Sequence, residues 1–87
     1  MPYINKAQRE KYINLSLQIE HLPEIETKGD LEFIVFKLMK KYMSTREARY
    51  NILHDCTYAV VHAGEEFKRR FLDKREDKAR QVNGDID

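Results

Sequence analysis

The residues of this 87-residue chain best suited to chemistry are carboxylates and arginines. Asp30, Glu66, Arg69, Arg70, Glu76 and Asp77, with Arg9 as a further candidate, combine the two side-chain types that recognise metal ions and phosphates. Carboxylates on neighbouring helices hold Mg2+, and guanidinium groups clamp phosphate oxygens. An anion or metal site would draw on Asp30, Glu66, Arg70, Glu76 and Asp77, and would make the chain a metal-dependent nucleotide-binding or nucleotide-hydrolysing all-α protein. The plainer reading is a helix cap at Asp30 and solvated ion pairs elsewhere, each worth under ~1 kcal/mol. The plainer reading is preferred, so no catalytic residue, metal or cofactor is assigned.

The remaining chemistry is thin. His54 and His62 lie eight apart, and with Cys56 they supply too few convergent ligands for zinc. Cys56 is the single cysteine and falls on an apolar stripe, so a packed thiol is expected. Thr45, Arg46, Arg49 and Asn51 could open the recognition helix of a helix-turn-helix. Sixteen basic and fifteen acidic residues leave a net charge of +1, which supplies little of the attraction that duplex binding needs. Nucleic acid is therefore a poor partner. The chain has no Gly-rich phosphate loop. Its most apolar run, residues 31–39, carries Glu32 and Lys37 and is far too short for a bilayer. The first residues do not read as a signal peptide, and a soluble, cytoplasmic protein without a membrane partner is expected.

The elements that must position these residues are helices. Hydrophobic residues make up 41% of the chain and charged residues 36%, with three glycines and two prolines, a balance that favours a few long helices. Asn5 and Gln8 form a capping box ahead of Tyr12, Leu15, Ile19 and Leu22, so a helix is expected over 6–21. Thr27 and Asp30 form a second box before a helix reaching Tyr42 or Met43 that is apolar over more than one face. Ser44 and Glu47 suggest a third box, opening a run over 45–72 on which Leu53, Cys56, Val60, Ala63 and Phe67 share one face. Glu65–Arg69, Glu66–Arg70 and Glu76–Arg80 are spaced as i,i+4 pairs. Gly64 is a possible bend, although an uninterrupted helix is favoured. Asn83-Gly84 stops the helix, and an acidic tail closes the chain.

Fragments spread along the whole chain resemble a family of small helical proteins of unassigned function, found in bacteria, archaea and phages. The fragments are Tyr3-Ile4-Asn5-Lys6 with Gln8, Arg9 and Tyr12; Lys28-Gly29-Asp30-Leu31; Tyr50; Glu66-Phe67 with Arg69-Arg70; Glu76-Asp77-Lys78; and Asn83-Gly84-Asp85. The family pattern has Asn-Tyr where this chain has Glu32-Phe33, and Tyr where it has Lys68. The resemblance implies a small all-α fold and no particular reaction. Gly29-Asp30-Leu31-Glu32-Phe33 also looks like the second metal-binding helix of the MazG-type nucleotide pyrophosphatases. Those enzymes use paired E-x-x-E and E-x-x-D helices, and neither pattern occurs in this chain.

The expected fold is therefore all-α: two shorter helices packed on one long C-terminal helix, in a single domain over 1–87 with a charged tail from about 81. A helix over 45–72 would be about 42 Å long and would outrun its shorter neighbours of about 24 Å. Phe67, Phe71 and Leu72 are left wanting a partner, either the N-terminal segment folded across them or a second chain, with Arg69 and Arg70 beside them, and dimerisation is the simplest expectation. A small non-enzymatic interaction or accessory module that self-associates as a homodimer or higher oligomer follows. An unidentified protein or anionic partner is the alternative occupant of that surface.

Overall fold

A computed structural model describes residues 3–84. Residues 1–2 and the acidic tail at 85–87 lie outside the described residues. The described chain is helical, without strands: α1 (Lys6–Arg9), a 3-10 turn (Glu10–Tyr12), α2 (Leu15–Glu20), α3 (Lys28–Met43), α4 (Tyr50–Phe67), a π turn (Lys68–Leu72) and α5 (Asp73–Asn83). It divides into two units, Met1–Leu31 and Glu32–Asp87.

In the first unit both capping boxes form as the sequence indicates. The Asn5 side chain accepts from the Gln8 N–H at 2.8 Å, and the Gln8 side chain accepts from the Asn5 N–H at 3.0 Å. At the start of α3, Thr27 Oγ1 accepts from the Asp30 N–H at 3.0 Å, and Asp30 Oδ2 accepts from the Thr27 and Glu26 N–H groups at 3.2 and 3.1 Å. These bonds satisfy amides that a helix start leaves without intrahelical partners. The helix expected over 6–21 is interrupted. Asn14 sits at φ −98°, ψ 7°, a bridge conformation that breaks the helical path before α2 begins.

In the second unit α3 and the long helix form an antiparallel hairpin. The turn between them differs from the third capping box read from the sequence. Ser44 Oγ donates backwards to the Lys41 carbonyl at 2.7 Å, so Ser44 closes α3 and does not open α4. Arg46 donates to the Tyr42 carbonyl and lies 3.8 Å over the Tyr42 ring, while Arg49 holds Glu47 at 2.6 Å. These local bonds occupy the side chains that would have capped an earlier start, and α4 opens at Tyr50 with extended Arg49 before it. The contact between the helices is marked by Cys56. It is 6% exposed, the one buried residue among those described, and its Sγ donates to the Met39 carbonyl at 3.7 Å.

From Tyr50 the helix runs without a gap through segments of 18, 5 and 11 residues. At 1.5 Å per residue that is roughly 50 Å, against about 24 Å for α3. The run begins five residues later and ends eleven residues further on than the 45–72 reading. Gly64 lies inside α4, and the irregularity comes after it. At the π turn the Asp73 N–H bonds to the Lys68 carbonyl, five residues back.

Candidate interaction surface

The hairpin leaves apolar side chains uncovered along its length. One groove, about 300 Å3 in volume, runs between the helices, its floor set by Val35, Leu38 and Met39 on α3 and by Cys56, Ala59 and Ala63 on α4. The small α4 side chains keep it open. The other side of the hairpin carries a second groove of about 350 Å3, edged by Phe36, Met43 and Leu53 and by the polar groups of Lys40, Ser44 and Thr57. Leu31, Phe33, Phe36 and Leu38 are all exposed, as expected of an apolar helix meant to be touched from several sides.

The π turn arranges the distal half of the long helix. Residues four apart stay on one side of the helix through an α or a π turn. Phe67 and Phe71 accordingly pair, with ring centroids 4.7 Å apart and planes tilted by 38°. They are 65% and 60% exposed. On the adjacent flank Glu66 is gripped twice. Arg69 reaches it with Nη2 at 2.7 Å and Nε at 3.2 Å, and Arg70 with Nε at 2.6 Å. The hydrogen bonds from Arg69 lead in holding the Glu66 carboxyl down at about 2, against an ordinary value of 4.5; those from Arg70 and the charge of both guanidiniums add to the effect. Lys68 bridges the turn to Asp73 at 2.8 Å, and that bond raises the pKa of its ammonium group.

The residues singled out from the sequence fall as follows. Phe67, Arg69, Arg70, Phe71 and Leu72 stand together on and beside the π turn, all exposed. Glu66 joins them through Arg69 and Arg70. Asp30 caps α3 in the first unit. Asp77 pairs with Arg80 at i,i+3, where the spacing had pointed to Glu76. Among the described residues, no three or more His, Cys, Asp or Glu groups gather as they would to hold a metal ion.

One feature escaped the sequence reading. Tyr50, His54, Tyr58 and His62 form a ladder of rings up α4, with centroid separations of 5.9, 4.4 and 6.3 Å. Their i,i+4 spacing was visible, but the histidines were weighed as metal ligands and not as aromatic rings. Helical periodicity sets the ladder on the side of α4 opposite Cys56.

These features define an all-α protein whose second unit is a helical hairpin with one arm much longer than the other and with exposed apolar side chains along both arms. No helix among the described residues is long and apolar enough to cross a membrane. The chain belongs to the family described as a domain of unknown function (DUF6899), whose model spans residues 1–86. No curated protein and no solved structure matches it.

Proposed function

We propose that this protein is a small intracellular, non-enzymatic interaction or accessory module that self-associates through its long C-terminal helix. The observation that carries the reading is the Phe67–Phe71 ring pair, exposed on the distal part of the long helix. Two paired aromatic rings beside arginines have the composition of an interface core, where aromatic residues and Arg concentrate. Leu72 extends the apolar patch, and the Glu66 fork holds Arg69 and Arg70 so that they orient the partner or an anionic group on it. With one buried residue among those described, the hairpin gains its core by association. Sedimentation equilibrium tests this. A concentration-dependent dimer or higher oligomer at micromolar protein is expected, and a monomer persisting at high micromolar concentration would remove the proposal.

A further inference from the structure

Two separate faces of the second unit lack cover, and one symmetric arrangement closes both. We infer that a second copy of this chain packs on the Val35–Leu38–Ala59–Ala63 groove about a two-fold axis parallel to the helices, so that the two hairpins make a four-helix bundle and the two distal helices leave it side by side, in parallel. This inference rests on the self-association proposed above and adds its geometry.

The first ground is the reach of α3. Antiparallel helices of equal rise that touch at Met39 and Cys56 place Glu32, the first residue of the second unit, level with Ala63. Past that level the second unit sets nothing of α3 beside the long helix. Phe67 stands eleven residues beyond Cys56, about three turns, and therefore on the same side of the helix. The π turn keeps Phe71 on that side as well. The bare side of each distal helix is thus the continuation of the side that α3 occupies lower down.

Symmetry then discriminates. A hairpin face can meet its copy about an axis parallel to the helices or about one perpendicular to them in the interface plane. The perpendicular axis sends the two distal helices out of opposite ends, leaving Phe67 and Phe71 bare in both copies. The parallel axis brings both distal helices out of the same end, where the phenylalanines meet their counterparts.

Charge supplies a second ground. On the groove side of the hairpin, periodicity puts Lys41 on the outer flank of α3 and Asp55 on the outer flank of α4. Both are exposed. The parallel axis lays α3 over the partner's α4, and the Met39–Cys56 register makes Lys41 nearly level with the Asp55 position of the other copy. The perpendicular axis instead sets α3 against α3 and leaves Lys41 with no Asp55 opposite it.

The area suffices. Leu38, Tyr42, Phe67, Phe71 and Leu72 retain between 37% and 65% of their exposure. With the alanine-lined groove floor and Val82 they offer on the order of 800 Å2 per copy, what a standard-size interface buries per partner.

Spin-label distances test the arrangement. Val82 lies about 33 Å along the helix from the groove centre near Val60, so labels on Val82→Cys in a Cys56→Ala background are about 65 Å apart for the perpendicular axis. For the parallel axis they fall within about 20 Å, two helix spacings. Labels on Gln81→Cys with the buried Cys56 retained repeat the measurement should Cys56→Ala disturb the hairpin. A dimer with the short distance is expected. A dimer with the long distance overturns the arrangement and leaves self-association standing, whereas a monomer overturns both. Lys41→Glu is expected to weaken the dimer several-fold, and Asp55→Lys on the same chain to restore it. A double variant no tighter than the single would also overturn the arrangement.

Discussion

Replacing Phe67 and Phe71 together by alanine separates the cost of association from the cost of folding. Both rings are already more than half exposed in the single chain, so their removal takes little from its own packing. Burying a phenylalanine fully is worth roughly 1.5–3 kcal/mol, and each ring has about 60% of that left to gain. In a symmetric dimer four rings are lost, at about 1–1.5 kcal/mol each, or about 5 kcal/mol in all. At about 1.4 kcal/mol per tenfold, the dimer dissociation constant should rise between a thousandfold and ten-thousandfold. Sedimentation equilibrium of both forms reads that constant directly, and circular dichroism at high dilution checks that helix content is retained. A double variant that dimerises within threefold of the parent would refute the reasoning, because the rings could not then lie in the interface.

Three further outcomes are expected. Thr27→Ala removes the cap on the Asp30 amide and should cost about 1 kcal/mol of stability, measured as a lower urea midpoint at unchanged slope. Gly64→Ala places a Cβ where nothing stands within 4 Å, in the middle of a helix, and should raise the melting temperature by the equivalent of about 0.5–1 kcal/mol. The Glu66 carboxyl is held at about 2 when folded and relaxes toward 4.5 when unfolded. Because the folded value is depressed, its contribution is complete above pH 4.5 and is lost as the pH falls toward 2. Carboxyl-carbon NMR should show Glu66 titrating near 2, well below the ordinary value of 4.5, and Glu66→Gln should flatten the acid limb of the unfolding curve.

Much of the local structure was legible because its causes are local. The Asn5–Gln8 and Thr27–Asp30 boxes are bonds between residues three apart, and the sequence places both partners. The third box was misread for the same reason: Ser44 has a local alternative, the Lys41 carbonyl, and takes it. Pairing on the long helix was right in kind and shifted in detail. Glu66 does meet Arg70, yet it also takes Arg69, while Arg80 turns to Asp77.

The sequence alone determined that the chain is helical, where its first capped turns lie, that Cys56 faces inward, and that the stretch around Phe67 and Phe71 outruns its neighbours. Those properties follow from composition, period and capping, which act within a few residues. Tertiary structure decided where the long helix starts, where it holds its π turn, and that Phe67 pairs with Phe71 while Glu66 sits between two arginines. It also decided that the hairpin keeps open grooves at Ala59 and Ala63. A π turn changes which residues share a face by a fraction of a turn, and no periodic pattern in the sequence records that shift. How far one helix extends past another depends on where the two touch, here Met39 against Cys56, seventeen residues apart in the chain.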